Sequence, residues 1–123
     1  MFLQPIDKYI SGGKMFNLVL LIGKMTDKPE LKKLENGHVV GHFGLAVHRP
    51  FKNADGEYET YFINCTIWNG IAQNMVEYCN KGSTIAVRGH LITRDEKIIN
   101  EKGEQINIKV PSIYVERVHF ISL

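Results

Sequence analysis

The sequence predicts an all-β domain with one short helix, folded as a five-stranded, partly open Greek-key barrel. Several segments alternate apolar and polar residues with the period of two that is typical of a strand covering a core. Only the segment after residue 69 repeats apolar residues at helical spacing. Turn signals such as the Asn-Ala-Asp-Gly at 53–56 separate the strands, so the predicted helix follows the third strand.

The first three strands come before the helix. The apolar run 18–22 predicts a buried strand that bends at Gly23 and continues through Lys33, with a turn at 27–29 inside this long element. The second strand is expected over 38–48. Its core face comprises Val39, Gly41, Phe43, Leu45 and Val47. The third strand is expected over 58–68, with Tyr61, Ile63, Cys65 and Ile67 toward the core.

The helix and two more strands complete the pattern. Asn69 is the expected N-cap, and Lys81-Gly82 provides a basic last turn and a glycine stop. The fourth strand spans 83–94, with Ile85, Val87, Gly89 and Leu91 inward, and a charged hairpin tip follows at 95–104. The last strand runs over 106–121, and Pro111 marks a bulge or an edge within it. This order of elements predicts an OB-fold, whose second and third strands usually form the ligand platform.

Length and composition indicate one soluble domain. The 123 residues fit a polar leader over 1–14 followed by a patterned domain over 15–123. The net charge of +2 does not by itself indicate a nucleic-acid partner. No secretion or membrane signal stands out, so the cytoplasm, with the nucleoid, is the expected location. Cys65 and Cys79 are expected to be small buried apolar groups, and the histidines, His38 and His42 among them, solvated strand residues. No enzyme motif, metal site or cofactor site is expected.

The outward face of the third strand suggests a function. Phe62 and Trp68 lie on the side that the core does not use, with Asn64 between them. Exposed rings in a barrel of this kind could stack unpaired bases. They could equally cover a subunit contact or a second layer of core.

Basic residues favour the first of these interpretations. Lys24, Arg49, Lys52, Lys81, Arg88 and Arg94 fall at the ends or outward faces of the same strands and their connections. Together with Phe51, Phe62 and Trp68, they would line a groove with cations for phosphates and rings for bases. The alternative for any single cation is that it lies on an ordinary solvated face.

The motifs resemble those of the bacterial single-stranded DNA-binding proteins. The resemblance covers residues 15–121 and depends on the order and spacing of several short segments. The segments include MFNLVLLIGKMT at 15–26, FGLAVHRPFK at 43–52, FINC at 62–65, YCNKGS at 78–83 and GHLITR at 89–94. The resemblance implies an OB-fold that assembles as a homotetramer and protects single-stranded DNA in replication, repair or recombination.

The resemblance also assigns roles to residues. It implies base stacking by Phe51, Phe62 and Trp68, and a dimer contact through the first strand around Asn17 to Ile22. It implies phosphate contacts by Lys24, Arg49, Lys52, Lys81 and Arg94, whereas Arg88 is added from its strand position alone.

Two departures from the family pattern stand out. Many members have an aromatic residue where this chain has Glu96, so one stacking site is expected to be missing. The sequence ends at Leu123 without an acidic tail, so partners recruited by such a tail are not expected. The alternative function is an accessory module, such as a primosomal protein, whose aromatic face binds protein.

Overall fold

The computed structural model describes residues 16–122, in which six strands and one helix form a closed barrel. The elements are β1 (Val19–Met25), β2 (Glu30–Lys33), β3 (Val39–Lys52), β4 (Tyr58–Trp68), α1 (Asn69–Tyr78), β5 (Thr84–Ile99) and β6 (Gln105–Ser122). The strand order is β1-β5-β6-β4-β3-β2, and a further pairing of β1 with β3 closes the barrel. The leader expected over 1–14 lies outside the described residues.

The predicted first strand is wrong in one respect, because it is two strands. β1 pairs with β3 at Lys24 and Met25, and β2 then pairs with the next part of β3, from His42 to Val39. Pro29 cannot donate a ladder hydrogen bond, so the chain turns between the two strands. β1 and β2 pair with consecutive parts of β3, so together they take the place of one strand in a five-stranded barrel. The predicted OB-fold is confirmed.

The core lies inside the barrel, beneath α1. Leu45, Ile67, Met75, Ile85 and Cys65 are fully buried there, and Ala72 adds a second contact from the helix. The alternation predicted for β3 and β4 is therefore correct through the middle of both strands. Tyr61 and Leu91, which were expected to face the core, are instead about half exposed. Tyr61 lies beyond the pairing of β4 with β6, and Leu91 lies beyond the pairing of β5 with β1.

Both cysteines are buried, as predicted. Burial raises the pKa of Cys65 to about 12 and also raises that of Cys79, because a thiolate is poorly solvated in the core. Both groups therefore behave as small apolar side chains.

The ends of α1 differ from the prediction. Trp68, and not Asn69, occupies the N-cap position, and Asn69 adopts a left-handed φ of 49°. The helix ends at Tyr78, so Lys81 and Gly82 lie in the following turn and no basic residue lies in the last helical turn. Gly82 has a φ of 88°, which explains the glycine there. No helix within residues 16–122 is long and apolar enough to cross a membrane.

The hairpin of β5 and β6 is longer than predicted. Its turn covers only Asn100–Glu104, and residues 95–99 continue β5. Pro111 pairs with Thr93 without a register shift, so the predicted bulge is wrong. β4 reaches β6 only at Ile113 and Tyr114, so Pro111 lies beyond that contact and fits the alternative of an edge position. The register shifts instead between Arg88 and Gly89, and between Thr84 and Ile85.

Candidate nucleic-acid interface

The outward face of β3 and β4 presents large rings beside small residues. In the antiparallel register, Phe62 lies opposite Ala46, Asn64 opposite Gly44, and Trp68 opposite Val40. Paired residues point to the same side of a sheet. Since Ala46 cannot cover the neighbouring ring, Phe62 is 76% exposed. The surface formed by the outward side chains of β3 and β4, from Val40 and Trp68 to His48 and Thr60, is called the platform below.

Lys24 extends the platform onto β1. It pairs with Ala46, which pairs in turn with Phe62, so the three residues form one row across three strands. Neighbouring strands lie about 4.8 Å apart, which puts the Lys24 and Phe62 backbones roughly 10 Å apart. Lys24 is exposed. The amide of Gly82 donates to the carbonyl of Met25 at 2.8 Å, so the turn that carries the exposed Lys81 lies beside this end of β1.

Gly44 lets the turn after β1 approach the platform. A β-carbon added at Gly44 would collide with Oγ1 of Thr26, whose amide donates to the Gly44 carbonyl at 2.9 Å. A cleft of about 290 Å³ opens at this point, and its lining includes Thr26, His42, Asn64 and Arg94. The glycine therefore creates a concave, polar region between the Phe62 and Trp68 rings.

Arg94 reaches the centre of the platform from β5. Its Nη1 lies 3.2 Å from Nδ1 of His42, and its Nη2 forms an ion pair with Oε1 of Glu96 at 2.9 Å. Ser112 on β6 connects the strands, since its hydroxyl donates to the Asn64 carbonyl at 3.2 Å and lies 2.8 Å from the Thr66 hydroxyl. Ser112 thus connects β6 to β4, while His42 and Glu96 are the residues that position Arg94.

Sequence reasoning missed His42 as a member of this site. Partial burial, and then the positive charge of Arg94, lower its pKa, while Glu96 opposes the shift. The shift favours the neutral form of the ring. The alternation of β3 already placed His42 on the outward face, but its contact with Arg94 depends on β5, which lies far away in the sequence.

Trp68 lies at the junction of β4 and α1, where it is partly buried. The neighbouring Asn69 side chain accepts a hydrogen bond from the Val39 amide at 3.0 Å and contacts the His38 ring at 3.1 Å. This link joins the start of β3 to the end of β4. The positive φ of Asn69 thus accompanies a side-chain link between β4 and β3, rather than the helix cap that the sequence suggested.

The far end of the β3–β4 ribbon carries the remaining candidates on two sides. Lys52 Nζ lies 5.6 Å from the ring centroid of Tyr58, on the platform side. Arg49 forms an ion pair with Glu59, and its guanidinium lies 4.2 Å from the Phe51 ring centroid. Glu59 lies on the side of β4 away from Phe62, so its partner Arg49, and the Phe51 ring that Arg49 covers, lie on that side too.

Arg88 is separated from the other candidates. It pairs with Leu20 on β1 and Arg117 on β6, and these residues line an apolar depression of about 400 Å³ together with Ile22. Six residues of extended strand, roughly 20 Å, separate it from Arg94. The structure therefore brings together Lys24, Asn64, Phe62 and Arg94, but not Arg88, whose contact with DNA stays a prediction.

Comparisons with known proteins place this geometry in context. Residues 16–121 match the profile of the single-strand binding protein family. The chain is 42% identical over 107 residues to single-stranded DNA-binding protein B of Bacillus subtilis, covering 87% of this chain and 91% of that protein. It is 43% identical over 94 residues to single-stranded DNA-binding protein 1 of Lactococcus lactis, covering 76% of this chain. It is 41% identical to the single-stranded DNA-binding protein of Halalkalibacterium halodurans, covering 87% of this chain. The matches span 61% of each of the last two relatives.

Proposed function

The chain belongs to the single-strand binding protein family, and we propose that it binds single-stranded DNA on the platform. The observation that carries the proposal is the row formed by Lys24, Ala46 and Phe62. An aromatic ring with 76% exposure costs hydrophobic free energy, which a stacked base would recover. The cation in the same row lies where it can meet the phosphate of a base stacked on that ring.

Binding without sequence preference follows from these residue types. Phe62 and Trp68 lie six residues apart on β4, roughly 20 Å, which leaves room for nucleotides between the two stacking positions. Every base has a face that can stack, so rings select unpaired strands rather than particular sequences. In the proposed complex, Asn64 and Arg94 contact the sugar-phosphate backbone that crosses the cleft between the rings.

Further stacking and phosphate contacts are proposed for the end of the β3–β4 ribbon and for Lys81. Phe51 is 55% exposed, but the guanidinium of Arg49 covers one face of its ring. A base would therefore stack on the other face. Lys52 and Lys81 are exposed and form no ion pair within residues 16–122, so both are free to meet phosphates.

The role proposed for the protein is to protect single strands in DNA replication, repair or recombination, in the bacterial cytoplasm. It would act by binding alone, without a catalytic step or a cofactor. The alternative is an accessory module whose aromatic face binds protein.

We also propose that the protein forms a homotetramer built from dimers joined at β1. Residues Val19–Gly23 pair with β5 on one side only within the described chain, which leaves a strand edge for a second copy. Leu20 and Ile22 are exposed next to this edge. Light scattering should give a tetramer mass, and Leu20→Asp should reduce it. A monomer mass for the unmodified protein would rule out this assembly.

A fluorescence titration tests the proposed DNA site. Trp68 is the only tryptophan in the sequence, so its emission reports on the platform. Added oligo(dT) should quench it, and the affinity should fall steeply as salt rises because binding releases counterions. An unchanged emission, with no mobility shift at low salt, would contradict DNA binding. If a protein partner, and not oligo(dT), quenched the emission of Trp68, the accessory-module alternative would be favoured.

A further inference from the structure

Two of the three arginines predicted to contact DNA, Arg94 and Arg49, are already paired with glutamates. Arg94 Nη2 lies 2.9 Å from Glu96 Oε1, and Arg49 forms an ion pair with Glu59. The proposed lysines differ, since Lys24 has no carboxylate partner among residues 16–122, like Lys52 and Lys81. In both arginines a glutamate carboxylate therefore already binds the guanidinium group. A guanidinium is the cation best suited to bind phosphate through two hydrogen bonds.

Neighbouring groups already contact each nitrogen-bearing part of the Arg94 guanidinium or leave it buried. Its Nη1 faces the His42 ring, its Nη2 faces Glu96, and its Nε is buried without a hydrogen-bond partner. Arg94 and Glu96 lie two residues apart on β5, so both side chains point to the same side of the strand. A phosphate that binds Arg94 through two hydrogen bonds therefore competes with the Glu96 carboxylate for the same guanidinium.

Arg49 is held in a similar way. Its Nε is also buried without a hydrogen-bond partner, and its guanidinium covers the Phe51 ring. Its Nη1 donates a hydrogen bond to the carboxylate of Glu59 on the neighbouring strand β4. The same kind of arrangement thus occurs at two separate positions, once along β5 and once across β3 and β4.

We infer that Glu96 and Glu59 compete with DNA phosphates for Arg94 and Arg49, and so weaken DNA binding and reduce its salt dependence. This inference rests on the proposed DNA binding, for Arg94 at the platform and for Arg49 at the far end of the β3–β4 ribbon. When a phosphate replaces a carboxylate, DNA releases a counterion, but the freed glutamate attracts a cation from solution. The net release of ions is then smaller than the number of arginines that contact phosphate.

The size of the effect follows from the strength of such ion pairs. Partly exposed pairs stabilise weakly, so we expect Glu96→Gln to tighten the binding of oligo(dT) by roughly 1.5- to 5-fold at low salt. The slope of log K against log salt should become steeper by up to about 0.7, the contribution of one phosphate on a single strand.

Asp95→Asn provides the matched control. It removes the same charge from the adjacent residue, which lies on the opposite side of β5, where its carboxylate accepts from Lys109 at 2.8 Å. Its effect on affinity should be below about 1.5-fold, because screening by salt weakens the long-range field. A third variant, Arg94→Gln combined with Glu96→Gln, should show no gain over Arg94→Gln alone.

Three outcomes would overturn the inference. Equal tightening by Asp95→Asn and Glu96→Gln would mean that only net charge matters. Weaker binding by Glu96→Gln would mean that Glu96 positions Arg94 for DNA. A gain that persists without Arg94 would mean that Glu96 repels DNA directly. Phe62→Ala separates these results from the proposed site itself: if Phe62→Ala binds normally, the platform is not the DNA site, whatever Glu96 does.

Discussion

Replacing Phe62 with alanine separates DNA binding from folding. A phenylalanine side chain that is fully buried covers roughly 200 Å². Because Phe62 is 76% exposed, only about 50 Å² is buried in the native protein. At about 25 cal/mol per Å², its removal should lower the free energy of unfolding by no more than about 1.3 kcal/mol. Urea unfolding followed by circular dichroism should therefore show a small shift of the midpoint.

The effect of the same substitution on DNA affinity should be larger. Loss of one stacked base costs about 1 to 3 kcal/mol, so the Kd for oligo(dT) should rise roughly 5- to 150-fold. Fluorescence anisotropy of a labelled oligonucleotide would measure it without depending on Trp68. Tyr61→Ala is the control, since Tyr61 is the preceding residue, is 54% exposed and points to the other side of β4. Equal losses in the two variants would refute the assignment of binding to the platform side.

Other properties of the chain can be tested independently. With the pKa of Cys65 raised to about 12, this thiol should stay unmodified by a disulfide reagent at pH 8 until urea is added; rapid labelling in the native protein, located by mass spectrometry, would contradict its burial. The lowered pKa of His42 means that the unfolded chain binds protons more readily than the native protein below about pH 6.5, so stability is lost as the pH falls. Tm should therefore drop further between pH 7.5 and 5.5 in the unmodified protein than in His42→Gln, and equal drops would refute this role. Gly89→Ala should lower Tm by several degrees because a β-carbon would strike the Tyr114 carbonyl, whereas Gly70→Ala, in open space on α1, should raise Tm slightly; similar values would refute the close approach.

Local sequence patterns predicted most of the strands. The alternation through Leu45 and Ile67 depends only on which side of its own strand each residue occupies, so it could be read without knowledge of the partner strands. Predictions failed where a neighbouring element decides the environment. Thr66 belongs to the outward set of β4, yet it is buried because Ser112 arrives from β6. Asn69 was predicted to cap the helix, but its side-chain oxygen instead accepts a hydrogen bond from the Val39 amide.

The candidate site divides in the same way. The sequence alone determined that Phe62, Asn64 and Trp68 share one side of a strand, because side-chain direction follows from the local period of two. Only the tertiary structure decided which cations join them. Register across β1, β3 and β4 puts Lys24 beside Phe62, whereas Arg88 pairs with β1 far from the rings. Contacts between elements depend on strand order and register, which no local pattern contains, and so the pairing of Arg49 with Glu59 across two strands could be found only in the folded molecule.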